Sequence, residues 1–405
     1  MNNSPAVPDK KMRILYLSFI ELDTPNACRT HTVGIIKGFA GHGCHVDALI
    51  PRPLKKLPPI PNVRIFYIWP WSFSRTGRLS FKLLSTLVMF FLCLRSAFDA
   101  IYVREMEANP GPRLCSKLFK ILLYIEINEL ILPILLEKGI GAFLINRIKK
   151  QQESDFKQSS GLIIPSIPMC NWIIDRYRIS ENKIHMIING ANITEAKKVS
   201  FLKARSKLSL SPECFCLGFV GNIYERYDFI TIMKAMVECQ NQIPDLYLVV
   251  IGEGPLVSKV RATVKKLGLE NRTIFTGYIQ SDELGEVLPA FDVGLSCLTK
   301  KNALRYGPIT TKVSTYALNE IAVICAGSSL KGYPIEIVQG VHLVPAEDPY
   351  SLADKIRWLY NYPEERKHKA KMLREFAVKK LTWDATAEEI LRIIRKDINL
   401  RLVNP

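Results

Sequence analysis

The sequence predicts an α/β protein of two doubly wound, Rossmann-like domains. Three observations carry this reading. Short runs rich in Ile, Val, Leu and Tyr alternate with longer amphipathic segments, the pattern of a parallel sheet covered by helices. The series stops in a polar stretch containing Lys197, Lys198, Lys203, Arg205 and Lys207, and then starts again. The 405 residues, 48% of them hydrophobic, suffice for two ordinary cores at roughly 100–200 residues per domain.

Taken in order, the first strands are predicted at Arg13–Leu17, Val46–Ile50, Val63–Tyr67, Ala100–Val103, Leu122–Ile127, Gly161–Ile164 and His185–Ile188. The second series runs through Leu217–Val220, Leu246–Ile251, Thr273–Thr276, Val293–Cys297, Ala322–Ala326 and Val341–Val344. A last segment, Ala385–Ile398, is helical in period. The expected domains are therefore residues 1–192, residues 193–383, and a tail helix over 384–405 that returns toward the first domain.

Lys and Arg number 55 against 38 Asp and Glu, a formal net charge of +17. Such a surface is drawn to phosphates, nucleic acid or anionic lipid, and the charge alone does not choose among them. Residues 1–192 hold 25 basic and 14 acidic side chains, so the first domain carries most of the field. No basic stripe is interleaved with aromatics and no familiar binding motif is present, which disfavours nucleic acid. The ten cysteines form no CxxC pair and no Cys/His group of zinc-site spacing, as expected in a reduced, cytoplasmic protein. The polar start, Met1 to Lys11, lacks a signal peptide's apolar core. The apolar stretch Leu83–Leu94 is 12 residues long, short of the roughly 20 that span a bilayer, so no transmembrane segment is expected.

Where a dinucleotide-binding protein would place GxGxxG after its first strand, the chain reads Ser18-Phe19-Ile20-Glu21-Leu22. A phosphate-loop lysine motif, a GxSxG elbow and an HExxH helix are equally absent. Other segments fall into a register of their own: Ile188-Asn189-Gly190-Ala191-Asn192, Phe219-Val220-Gly221-Asn222, Leu248 to Pro255 with its Gly252-Glu253-Gly254-Pro255, Phe275-Thr276-Gly277, Ala290-Phe291-Asp292-Val293-Gly294, and Trp383 before the tail helix. Each alone is any turn or βα loop. Together, in order and spacing, they resemble the "pNGvD", "fvGrl", "l.ivG.GP", "ftG.v", "aDvgl" and "f.W" segments of the retaining, nucleotide-sugar-dependent GT-B glycosyltransferases (glycosyl transferases group 1, family 4-like). Thr30-His31-Thr32 with Gly41-His42-Gly43-Cys44-His45-Val46 extends the resemblance to the start of the chain.

The resemblance implies the GT-B architecture, two Rossmann-like domains facing a central cleft. It also implies transfer of a sugar from a nucleotide-sugar donor to a glycan or lipid-linked acceptor, with no cofactor and no metal. The chain contains no Asp-x-Asp, the pair that metal-dependent transferases use. On the donor side the resemblance assigns Gly221, Asn222, Arg226, Glu253, Thr311, Lys312 and Thr315, with Arg226 and Lys312 toward the diphosphate and Glu253 and Thr315 toward the nucleoside. The family carries two glutamates eight residues apart that hold the sugar and the ribose; here Gly307 and Thr315 stand in their places. Either the ribose is held otherwise, by Glu253 and backbone groups of Thr310 and Thr311, or the domain has lost donor binding and the protein is a catalytically silent partner or scaffold.

In the first domain, the family's two glycines near the donor diphosphate are replaced by Asn26 and Ala27, of which Asn26 can take left-handed geometry and Ala27 only at a cost. Alternation puts Glu126 and Asn128 on one side of the strand end, in the usual ligand crevice of an open α/β sheet. They are candidates for the catalytic positions, the other reading being a satisfied polar end to a buried strand. Arg104 opens on the same side and could meet a phosphate or an acidic acceptor, or pair with Glu105 or Glu107. His31, His42 and His45 are expected to be structural. A final expectation concerns an anionic membrane surface as partner, placing the protein peripherally on the cytoplasmic membrane face. Arg52, Lys55, Lys56, Arg75, Arg78 and Lys82 precede Leu83–Leu94; that segment should be a crossover helix packed on the sheet, whereas Leu130–Leu136, interrupted by Pro133, could be a surface loop that docks, or core.

Overall fold

The computed structural model describes residues 11–23, 26–69, 74–104, 109–192, 199–281 and 283–403, with the side chains of Arg75 and Leu402 left aside. The chain divides into two compact units. One comprises Met1–Pro165, Cys170–Ile187 and Asp384–Pro405, the other Ser166–Met169 and Ile188–Trp383.

The first unit is built on seven strands: β1 (Arg13–Leu17), β2 (His45–Pro51), β3 (Val63–Ile68), β4 (Ala100–Arg104), β5 (Leu122–Glu126), β6 (Gly161–Ile164) and β7 (Ile184–Met186). All pair in parallel, in the order β3-β2-β1-β4-β5-β6-β7. β1, β4, β5 and β6 are buried almost throughout and read as continuous apolar runs because helices cover both faces of a parallel sheet. Of those helices, α1 (Ala27–Gly41) follows β1, α2 (Arg75–Arg95) crosses from β3 to β4, α3 (Gly111–Phe119) follows β4, and α4 (Ile131–Glu137) follows β5. Chain order reverses between β1 and β4, and a crevice opens at such a switch point beyond the strands' carboxyl ends. The tail helix Trp383–Val403 buries Ala387, Ile390, Leu391 and Ile394, and its Asp397 accepts a 2.6 Å hydrogen bond from the Tyr124 hydroxyl of β5.

The second unit repeats the plan with β8 (Phe215–Val220), β9 (Leu246–Ile251), β10 (Thr273–Gly277), β11 (Val293–Ser296), β12 (Ala322–Ala326) and β13 (Val341–Val344), parallel and ordered β10-β9-β8-β11-β12-β13. Its switch point lies between β8 and β11. At the opposite end of these two strands, Asp292 accepts from Arg205 at 2.6 Å, from Arg366 at 3.1 Å and from the Cys216 backbone N–H at 2.8 Å. This ion-pair network seals the amino end of the sheet around an Arg205 side chain that is only 2% exposed.

Two alternatives left open by the sequence are resolved, and the expected crossover helix is longer than its apolar stretch. Asn26 is not left-handed: it is the extended N-cap of α1 (φ −146°, ψ 171°), its side-chain oxygen accepting from Arg29 N–H at 2.9 Å, and Ala27 is the first helical residue. An Asn at this place satisfies a free helix N–H, so no left-handed turn is needed. Leu130–Leu136 is not a loop. Ile131 onward forms α4, with Pro133 in its first turn where no N–H is missed, and Leu130 and Leu132 are buried. Finally, the apolar stretch Leu83–Leu94 belongs to a 21-residue helix. Among the described residues its Thr76–Arg95 portion is the one helix long and apolar enough, by length and composition, to cross a membrane.

Candidate active site

In the second unit the loops after β8, β9 and β10 are laced together by their backbones. Gly221 N–H donates to Ile251 O (2.8 Å), Ile223 N–H to Glu253 O (2.9 Å) and Gly252 N–H to Gly277 O (2.8 Å). Gly221 and Gly252 sit at φ +129° and +136°, and a Cβ on Gly252 would stand 2.1 Å from the Gly221 carbonyl oxygen. The close approach and the positive φ both demand glycine, which is why the sequence punctuates here.

Lys312 enters this floor from the helix Thr311–Leu318, which follows β11 and the short helix Lys300–Tyr306. Tyr316 of the same helix fixes its position: the hydroxyl accepts from Val220 N–H at 3.0 Å and donates toward Gly218 O at 3.2 Å. Thr310 caps the helix, accepting from Lys312 N–H at 3.3 Å and bonding Ser296 Oγ at 3.0 Å. The largely buried Lys312 side chain lies over two rings, its Nζ 3.9 Å from the Tyr227 centroid and 4.7 Å from that of Phe219. A Cβ on Gly221 would be 2.6 Å from that Nζ. Among the described residues no carboxylate pairs with this ammonium. A cation held by aromatic faces beside exposed backbone, next to a helix N-terminus, is prepared for an anion.

The other donor-side residues are distributed around this point. Arg226 stacks on Tyr306, its guanidinium 4.4 Å from the ring centroid, while its carbonyl accepts from Thr299 N–H at 3.0 Å. Glu253 is exposed and reaches over Gly277, its Oε1 3.0 Å from where a Cβ would stand. Asn222 and Thr311 are half-buried. The Thr315 hydroxyl donates to Thr311 O at 3.1 Å, so its oxygen keeps only lone pairs for a ligand. Gly307, at φ +74°, ends the helix Lys300–Tyr306, and a Cβ there would meet the Tyr333 hydroxyl at 2.6 Å. A side chain at 307 is excluded by both backbone and neighbour, so the absence of an acid at that position is built into the loop.

In the first unit, register alone sets Arg104 beside Glu126 and Tyr16 beside Tyr102. Four groups converge on Glu126, which is 3% exposed: an ion-pair contact from His31 Nε2, a 2.7 Å hydrogen bond from Asn128, the charge of Arg104, and the Tyr102 hydroxyl. Burial pushes the Glu126 carboxyl up, but His31, Arg104 and Asn128 outweigh it and hold it at about 2. Burial pushes His31 down, so at neutral pH a neutral imidazole donates its N–H to a carboxylate. Burial opposes the Arg104 charge, and Cys28, Glu126 and Tyr16 outweigh it. Arg104 in turn donates to Cys28 O at 3.0 Å and Thr32 Oγ1 at 3.2 Å, tying the β4 end to the first turn of α1. Glu105 and Glu107, its alternative partners, lie outside the described residues, as do Lys197 and Lys198. His42 pairs with Asp384 at 3.3 Å and His45 opens β2.

His31 is the residue that sequence reasoning set aside and the fold brings to the site. The signal was its place one turn into the helix after β1, directly over the switch point. Both titrations make this cluster an acid-sensitive support. Because His31 lies below its ordinary value of 6.5, the unfolded chain takes up that proton first, and stability is full above that pH and lost as pH falls below it. Glu126 adds a second loss between 4.5 and about 2. His31→Gln should flatten the dependence of unfolding free energy on pH below 6.5 by up to about 1.4 kcal/mol per pH unit. Chemical denaturation across that range checks it, and an unchanged slope counts against the assignment.

Residues 200–377 match the family described as Glycosyl transferases group 1. The match lies within the second unit. The fold of the chain recurs in solved structures: the Anabaena protein Alr3699/HepE in complex with UDP and glucose superposes with a TM-score of 0.70 at 17% identity, covering 95% of this chain and 99% of that one. A glycosyltransferase from Rickettsia africae ESF-5 gives 0.73 at 13% identity over 96% and 99%. The GT-B fold expected from sequence is thereby present. Among curated proteins, a 2-deoxystreptamine glucosyltransferase of Streptomyces kanamyceticus is 34% identical over 77 residues, 19% of this chain, and the match spans 20% of that protein's length.

Proposed function

We propose that the chain is a retaining, metal-independent glycosyltransferase that binds a nucleotide sugar on its second unit and passes the sugar to a glycan or lipid-linked acceptor. One observation carries the reading: the Lys312 ammonium, largely buried, cradled by Tyr227 and Phe219 and with no carboxylate partner among the described residues, beside Gly221 at the switch point. A departing nucleoside diphosphate needs positive charge where its own negative charge grows. Lys312, the positive end of the helix Thr311–Leu318 and Arg226 supply it from this chain alone. Glu253 and Thr315 are assigned to the nucleoside end. On the first unit, Glu126 and Asn128 are assigned to the catalytic positions on the acceptor side, and Arg104 with the α1 cap at Asn26 and Ala27 to the acceptor or the donor diphosphate, at the cytoplasmic face of a membrane. HepE was crystallised with UDP and UDP-glucose, which supports uridine diphosphate sugars as the first donors to try.

Gly307 and Thr315 favour a second reading, a silent partner subunit, because neither can present the carboxylate that grips the donor in the family. Incubating the full chain with a mixture of nucleotide sugars and analysing for free nucleoside diphosphate by mass separates the two. Release from one donor is expected. If no donor is turned over and no nucleoside diphosphate binds, the silent reading stands.

A further inference from the structure

α2 presents two apolar faces. Gly77, Phe81, Ser85, Met89 and Cys93, spaced every four residues, are buried toward the sheet. On the other side Leu79, Leu83, Leu87, Phe91 and Leu94 remain between 55% and 61% exposed. α3 packs tightly alongside, since a Cβ on Gly111 would stand 2.0 Å from Thr86 Oγ1 and the Phe90 and Phe119 rings meet edge-on at 5.5 Å. It adds the exposed Leu114 and Leu118. A surface helix ordinarily turns polar residues outward, and an apolar ridge of this length marks an interaction site. Its charge is one-sided: Arg78 and Lys82 lie on α2, Lys117 on α3 and Lys120 at its end, and neither helix contains an Asp or Glu. Lys117 and Lys120, with Arg401, also line a surface hollow.

We propose that the α2–α3 face docks on an anionic membrane surface, with α2 lying in the plane of the headgroups. Basic groups beside an apolar ridge are what interfacial attachment requires. α2 does not span the bilayer, although it is long enough, because it links β3 and β4 of one parallel sheet and its inner face is already in the core. A second copy fits poorly, since a symmetric pair would set these lysines and arginines against themselves. The surface thus moves from Leu130–Leu136, where Leu130 and Leu132 are buried, to the helix that the sequence assigned to packing on the sheet.

Vesicle binding needs neither donor nor acceptor, so its outcome is independent of the transfer reaction. Sedimentation of the full chain with phosphatidylglycerol and with phosphatidylcholine vesicles, at low and high salt, should show about ten-fold stronger binding to the anionic lipid, weakened by salt. Leu83→Asp with Leu87→Asp, and separately Lys117→Glu with Lys120→Glu, should each lower it by about ten-fold or more. These side chains are outward, and a thermal melt checks that the fold is kept. Failure to bind either vesicle, equal binding insensitive to salt, or undiminished binding by the folded variants overturns the proposal. So does a dimer in sedimentation equilibrium that the Leu83→Asp, Leu87→Asp pair dissolves, which would make the face a self-association interface.

Discussion

Replacing Lys312 with methionine is expected to weaken nucleoside diphosphate binding by about 1.5–3 kcal/mol, roughly ten- to a hundred-fold in Kd, while leaving thermal stability unchanged or raised. The two effects have different origins. Methionine is one atom shorter but keeps an unbranched apolar side chain directed at Tyr227 and Phe219, whose rings the ammonium now faces, and it removes the cost of holding an ammonium in a partly buried place. What it cannot do is attract a diphosphate. A folding role for Lys312 would instead lower stability, and packing alone would leave affinity where it was. Calorimetric titration with uridine diphosphate, read beside a melting curve, distinguishes these. Unchanged affinity in a folded variant removes Lys312 from the donor site, and with it the observation on which the proposed function rests.

The largest loss of stability is expected from Asp292→Ala. The carboxylate is shared by Arg205, Arg366 and the Cys216 N–H, and Arg205 has almost no access to water. Removing one partner of a buried pair leaves the other charge uncompensated, at a cost of about 3–5 kcal/mol. Three carbonyls, of Ala290, Ser211 and Pro212, continue to accept from Arg205, but they carry no net charge to balance it. Because the network lies at the amino ends of β8 and β11, away from the switch point, nucleotide affinity of the folded fraction should not change. Urea unfolding measures the first statement and titration the second. A loss below about 1 kcal/mol would show that water reaches this cluster.

The strands were legible because a sheet covered on both faces has to be written in continuous apolar runs, and the unit 2 floor was legible because close backbone approach at Gly221 and Gly252 admits only one residue type. The first-unit cluster was half legible. Glu126, Asn128 and Arg104 betray themselves as polar residues ending apolar strands. His31, 95 positions before Glu126 in the chain, is brought to it by strand order, which no local pattern records. The outward face of α2 was illegible for another reason: a helix apolar on every side does not say which side lacks a cover. Asp292 read as part of a loop motif, and its buried arginines come from segments 87 and 74 residues away.

The first unit is discontinuous, closed by a helix that begins only where the second unit ends at Trp383. Domains usually complete in the order in which the ribosome delivers them. Here the order is inverted: every strand of both sheets has emerged before the segment carrying Ile390, Leu391 and Ile394 reaches the surface it covers. Until then the nascent first unit exposes the Tyr124 side of its sheet to the cell. A stalled or truncated product would therefore pair a finished second unit with an incomplete first unit, a form suited to capture by chaperones and proteases.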